Sequence, residues 1–329
     1  MDLSVRYLGL DLKNPIIIGS SGLTNSVKKI QKLEKNGAAA VVLKSLFEEQ
    51  ILMEYHQITS QNQNVYPEFQ DYVKYYTEEE NLGKYLALIK NAKETVDIPI
   101  IASINCVSSA EWISFAKKIE SAGADAIELN ISLLPSNFEL SGSENEKVYF
   151  DIIEKVKQNI SIPIALKMSY YSAGLANLIQ KLSWTQQLDA FVLFNRFYNP
   201  DIDINKKEII SSSVLSTPKD IFTSLRWIAL LSDTIELPLI ATTGIMDGEG
   251  VIKQILAGAQ AVQIVSSIYK NGNSYITTIL EEIKSWMKQN NYTNLADFRG
   301  LLNQKKSDNS SNYERVQFMK YFSDKNNQE

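Results

Sequence analysis

The sequence predicts an α/β fold, a (β/α)8 TIM barrel built as a single domain with long loops after strands 2 and 6. Three observations predict it. Eight short apolar runs recur along the 329 residues, two kinds of run alternate strictly, and segments of helical period lie between them.

The odd-numbered runs read apolar-Pro-apolar: Asn14-Pro15-Ile16-Ile17-Ile18, Ile98-Pro99-Ile100-Ile101-Ala102, Ile162-Pro163-Ile164-Ala165-Leu166 and Leu237-Pro238-Leu239-Ile240-Ala241. The even-numbered runs read Gly-Ala-x-Ala-apolar or close to it: Gly37 to Val41, Gly123 to Ile127, Leu188 to Val192 and Gly258 to Val262. Each is apolar on both alternations, the pattern of a parallel strand buried on both faces. Proline stands at the first strand position, where its missing N–H does least harm. Glycine ends the preceding helix, where a left-handed residue is needed. Helices are expected at Val27–Asn36, Ala110–Ala122, Glu146–Gln158 and Gly250–Ala257; in the second, Trp112, Phe115, Ala116 and Ile119 fall near helical spacing. An open doubly wound sheet predicts fewer strands and a glycine-rich first turn, of which Gly19-Ser20-Ser21-Gly22 is a weak version.

Two insertions interrupt the rhythm. Residues 46–82 carry Tyr55, His56, Tyr66, Phe69, Tyr72, Tyr75 and Tyr76, and residues 196–218 follow the sixth strand. Loops at the C-terminal ends of barrel strands shape the ligand pocket, so both are expected there; a lid, a partner surface and plain packing are all readings of the tyrosines. The barrel is expected to span 1–304 and a polar tail 305–329.

Composition narrows the class. Hydrophobic residues make up 44%, enough for one large core, and the formal charge is −5. A mild acidic excess argues against a nucleic-acid binder. No apolar stretch spans a bilayer and no basic leader precedes an apolar one, so a cytoplasmic protein off the membrane is expected. The single cysteine, Cys106, excludes an internal disulfide; with His56 the single histidine, no metal-site spacing exists.

In a barrel, chemistry sits where strands end. The strand ends form a polar ring: Ser20-Ser21-Gly22, Lys44-Ser45, Ser103 to Cys106, Asn130 with Ser132, Lys167, Asn195, Thr242-Thr243-Gly244 and Ser266-Ser267. A lysine facing a barrel mouth must meet an anion or an electron-rich ligand. The plain alternative is a carboxylate partner for each lysine, and the ring offers none, which also disfavours an isomerase or aldolase using Lys167. The hydroxyls and glycine of the seventh and eighth loops suit a phosphate. A phosphorylated cofactor held there, with a lysine opposite, fits flavin mononucleotide (FMN).

These residues resemble the flavin-dependent dihydroorotate dehydrogenase family over most of residues 3–300, and its soluble class in particular. The resemblance is carried by Gly9-Leu10-Asp11-Leu12-Lys13-Asn14-Pro15, Ser20-Ser21-Gly22, Lys44-Ser45, Glu128-Leu129-Asn130-Ile131-Ser132, Leu166-Lys167-Met168, Thr243-Gly244-Ile245, Gln263-Ile264-Val265-Ser266 and Asp297-Phe298-Arg299-Gly300. It implies conversion of dihydroorotate to orotate in pyrimidine biosynthesis. FMN would be bound by Ser20, Ser21, Gly22, Lys44, Ser45, Asn130, Lys167, Thr242, Thr243, Gly244, Val265 and Ser266. Lys167, Asn130 and Ser132 would be catalytic, with Lys167 stabilising charge on the reduced flavin. Asn195, Arg196 and Asn64 would meet the substrate. A homodimer is the assembly considered.

Five departures qualify what the resemblance implies, the first being that the family's Asn-rich substrate loop after the second strand is reduced to a remnant at Asn62, Asn64 and Pro67. Leu133 stands where the family has a catalytic Cys or Ser, and a leucine cannot act as a base. The family's Pro-Asn is disturbed in Leu133-Leu134-Pro135-Ser136-Asn137. Arg196 replaces a small polar residue, and Thr243 and Val265 replace glycines. Ser141, Ser143 and Cys106 are the candidates for a substitute base, Cys106 more readily read as a buried apolar residue. A flavoprotein with another substrate, or a binding barrel without catalysis, are the alternatives.

Overall fold

The computed structural model describes residues 1–47, 67–105, 109–197, 199–211, 213–307 and 311–314. The eight runs form the eight barrel strands: β1 (Ile16–Ile18), β2 (Ala40–Val42), β3 (Ile100–Asn105), β4 (Ala126–Ile131), β5 (Ile164–Met168), β6 (Ala190–Leu193), β7 (Leu239–Thr242) and β8 (Ala261–Ile264). All neighbours pair in parallel, and β2–β3 pairing closes the ring.

The alternation of run types has a hydrogen-bonding reason. Each proline precedes an odd strand, and its carbonyl accepts an amide from an even neighbour: Val262 N to Pro15 O, Val41 N to Pro99 O, Ile127 N to Pro163 O and Phe191 N to Pro238 O, at 2.9–3.2 Å. The ring tolerates a missing donor because the same residue's acceptor is used. Glycines 37, 123 and 258 take φ of +106°, +92° and +120° where three helices hand over to even strands. At Gly258 any side chain would also meet Ser232 at 2.3 Å.

The surrounding helices are α1 (Val27–Lys35), α2 (Pro67–Lys93), α3 (Ser109–Ser121), α4 (Gly142–Lys157), α5 (Leu175–Trp184), α6 (Ile221–Leu231), α7 (Gly248–Ala257), α8 (Ser266–Asn271), α9 (Tyr275–Gln289) and the short α10 (Ser311–Glu314). They bury one face against the strands, as Trp112, Phe115, Ala116 and Ile119 of α3 do. Two helices begin earlier than their apolar periodicity indicates. Ser141 caps α4 in a capping box with Glu144, and Asp247 caps α7 through Gly250 N.

The insertion at 46–82 is partly helix rather than loop. Leu46–Phe47 adds to β3, and α2 already runs from Pro67. Tyr55, His56 and Tyr66 lie outside the described residues. The insertion after β6 carries an antiparallel hairpin, Pro200–Asp203 with Glu208–Ser211. No described helix is long and apolar enough to cross a membrane.

Candidate active site

The C-terminal ends of the strands enclose a cleft of about 210 Å3, open to solvent and running from Lys167 and Gln263 to Gly244 and Ser266. Its floor is set by register. Asn130 of β4 stands opposite Lys167 of β5, and Glu128 lies one inward-facing layer below Asn130. Lys167 Nζ donates to Gln263 Oε1 at 3.0 Å and lies 3.4 Å from Glu128 Oε1. Gln263 Nε2 donates to Glu128 Oε2 at 2.5 Å. The expectation that Lys167 has no carboxylate neighbour is therefore corrected. Glu128 lies two residues before Asn130, inside the barrel, so a ring of strand-end residues does not contain it.

The far end of the cleft is rich in donors. Gly244 (φ +77°) turns with its Cα against the start of α6, where a Cβ would stand 2.1 Å from Ile221 N. Thr243 holds φ +76°, a glycine-like conformation that a β-branched residue rarely takes. It is held there by an Oγ1 bond to Phe194 O at 3.2 Å. Val265 instead has φ −142° and packs its side chain on Gly19. Ser216 joins these loops: its N donates to Ser266 Oγ at 3.0 Å, its Oγ accepts from Gly244 N at 3.3 Å, and its O accepts from Lys270 Nζ at 3.0 Å. The Ser216 and Ser266 hydroxyls accept these amides and so keep their own hydrogens to donate, with the Lys270 ammonium beside them, a donor set suited to a phosphate.

A chain of serines lines the side between β1 and β3. Ser45 N donates to Ser20 Oγ at 2.8 Å, and the Ser45 hydroxyl bonds those of Ser20 (2.9 Å) and Ser103 (2.7 Å). Tyr85 of α2 closes the backbone at Ser103, accepting from its N at 2.8 Å and donating to its O at 3.1 Å. Burial pushes the Tyr85 phenol well above its ordinary range, so it remains a neutral hydroxyl. Ser21 caps the turn at Gly22, and Lys44 is exposed at the rim.

Asn195, just past β6, donates through Nδ2 to Asn130 Oδ1 at 2.5 Å. Arg196 lines the cleft but spends Nη1 on Ser213 O (2.9 Å) and Val214 O (3.0 Å), with Asp220 3.9 Å from Nε. Ser132 is exposed on the loop after β4. Leu133 turns away from the cleft: it lines a separate, more apolar cavity with Tyr149, Met168, Tyr171 and Leu178. Ser169 Oγ holds its carbonyl at 2.7 Å. Ser141 and Ser143 are not brought to the cleft, because both belong to the capped start of α4. Cys106 and Asn64 lie outside the described residues.

The dihydroorotate dehydrogenase family model matches residues 59–287, well over half of the chain. This chain belongs to the dihydroorotate dehydrogenase family. It is 26% identical over 316 residues to the "Dihydroorotate dehydrogenase B (NAD(+)), catalytic subunit" of Thermoplasma volcanium, covering 91% of this chain and 98% of that protein. The same description applies to a Pyrococcus furiosus protein, 26% identical over 314 residues (92% and 99%). A Petrotoga mobilis protein so described is 28% identical over 217 residues (64% and 70%). The dihydroorotate dehydrogenase fold thus brings with it the general oxidoreductase and flavoprotein character of the family. Gln263 and Ser216 line the cleft, and Glu128, Tyr85 and Lys270 bond or pair with residues around it; strand-end reading names none of the five as a site residue. Gln263 and Glu128 belong to the segments Gln263-Ile264-Val265-Ser266 and Glu128-Leu129-Asn130-Ile131-Ser132, where inward strand parity is their signal. Ser216 and Lys270 carried none, since only folding brings them beside Gly244 and Ser266.

Proposed function

We propose that this protein is an FMN-dependent oxidoreductase acting on a CH–CH bond, with dihydroorotate the first substrate to test. The single observation that supports it best is the pairing of a buried lysine floor at Lys167 with a donor-rich end at Gly244, Ser216 and Ser266 in one continuous cleft. An elongated ligand with an electron-rich ring and a phosphate matches both ends. Gly244 is needed there because its Cα packs against the start of α6 with no room for a Cβ, which keeps the loop at this end of the cleft.

When bound, FMN would accept a hydride and gain negative charge. The residues of this chain do the rest. Lys167 would offer its ammonium to the electron-rich ring, Asn130 and Asn195 would orient the substrate through their amides, and the serine chain of Ser20, Ser45 and Ser103 would form the side wall. Gly244, Ser266 and Ser216, with Lys270 behind them, would hold the phosphate.

One observation favours a second reading on the same scaffold. Leu133 sits at the family's base position and faces an apolar cavity. A substrate that needs no proton removed from that side is then favoured over dihydroorotate. The test is an absorption spectrum of the purified protein loaded with FMN, followed by anaerobic dihydroorotate. Yellow protein bleached by dihydroorotate supports the first reading. Yellow protein left unbleached supports the second, and protein that takes up no flavin sinks both.

A further inference from the structure

Glu128 is fully buried and has no direct part in the binding proposed above. Its surroundings are specific. One carboxylate oxygen, Oε2, accepts the Gln263 amide at 2.5 Å; the other, Oε1, lies 3.4 Å from Lys167 Nζ and has no hydrogen bond. Gln263 Oε1 accepts from the same ammonium at 3.0 Å. The three side chains form a closed triangle, which fixes the glutamine amide: its carbonyl must face the cation and its NH2 the anion. The other polar groups near the carboxylate do not compensate it. Tyr7 Oη is buried without a hydrogen-bond partner, and Tyr85 Oη is committed to Ser103.

A buried carboxylate is costly unless a charge and hydrogen bonds balance it. Lys167 and Gln263 supply that balance. One ammonium hydrogen goes to Gln263 Oε1 and the Glu128 carboxylate lies 3.4 Å away as an ion pair, so the ammonium keeps donors for the cleft. We infer that Glu128 is a positioning residue, which aims Lys167 at the cleft and offsets the positive charge that a ligand on the floor feels. The inference rests on the proposed flavin reading. With the pair intact the floor carries no net charge, so the negative charge that the ring gains on reduction is stabilised by a near cation and opposed by a slightly deeper anion. The preference of the site for reduced over oxidised flavin is thereby held down.

The experiment measures FMN affinity in both redox states and the midpoint potential of the bound flavin, for the wild type, Glu128→Gln, Lys167→Met and the double variant. Removing the deep anion is expected to raise the reduced-to-oxidised affinity ratio about tenfold, which is a midpoint about 30 mV higher. Lys167→Met shifts it the opposite way, and the double variant returns near wild type. If Glu128→Gln does not yield folded protein, Lys167→Met against the double variant reads the same step, because the double variant buries no charge. A ratio unchanged within twofold in both comparisons, with only the melting temperature altered, makes Glu128 merely structural and overturns the inference. Wild-type protein that binds no flavin sinks the underlying reading instead.

Discussion

The Asn195 amide donates to the Asn130 carbonyl over 2.5 Å, tying the end of β6 to the end of β4 across β5. Both side chains are half-buried, so water replaces a lost partner. Asn14 is the contrasting case: it is buried, donates to Gly37 O at 2.8 Å and accepts from Ile16 N at 2.9 Å. Asn195→Ala is expected to cost at most about 1 kcal/mol in denaturant melts, and Asn14→Ala about 2–3 kcal/mol, because only the latter leaves buried groups unsatisfied. Equal losses would show that the Asn130–Asn195 bond is structural.

Thr243 combines left-handed backbone with a hydrogen bond to Phe194 O. Relief of the backbone by glycine is worth about 1–2 kcal/mol, and the lost bond costs about 0.5–1.5 kcal/mol. Thr243→Gly should therefore melt within about 1 kcal/mol of wild type. Thr243→Ala keeps the strain and loses the bond, so it should be the least stable of the three. An alanine variant as stable as the glycine one would mean that the strain is not present in solution.

Leu133 packs into the outer cavity beside Tyr149 and Met168. Leu133→Ser should lose about 1–2 kcal/mol of packing, less than a fully buried leucine would. Its hydroxyl should face that cavity, so anaerobic dihydroorotate reduces bound flavin no faster than in wild type. Fast bleaching in stopped-flow traces of the variant would show that the loop presents residue 133 to the cleft after all.

The barrel was legible because its signal is local. Proline at 15, 99, 163 and 238 and glycine at 37, 123 and 258 mark strand starts through backbone geometry that neighbouring residues alone determine. The ring of Ser20, Lys44, Asn130, Lys167, Asn195, Gly244 and Ser266 was legible because barrel strands end on one face. Contacts between distant segments were not. Glu128 meets Gln263 across 135 positions, and Ser216 meets Ser266 across 50, so neither pair leaves a trace in local pattern. Ser141, a candidate substitute base from the sequence, is instead the helix cap of a Ser-x-x-Glu signature that is visible in the sequence beside it.

Acid stability should depend on Glu120, at the end of α3. Its carboxylate accepts from Ser161 Oγ (2.6 Å), Ser161 N (2.7 Å) and Ile162 N (3.2 Å), just before β5. These bonds, the Ser161 hydroxyl first, hold its pKa below the usual glutamate value. A folded pKa that is depressed stabilises the protein above the unfolded pKa, and the contribution is lost as pH falls through the folded value. Glu120→Gln should therefore flatten the fall in melting temperature below about pH 4.5, while lowering stability at neutral pH. A parallel fall in the two proteins would remove Glu120 from the acid transition.

Arg196 grips the backbone of Ser213 and Val214, so the chain leaves β6, makes its hairpin and is clamped again within reach of its point of departure. Asn195 is thereby insulated from whatever happens at the tip of that excursion. The outer hairpin is thus expected to behave as a cassette: trimming or exchanging it should leave the mouth in place while the arginine keeps its two carbonyls.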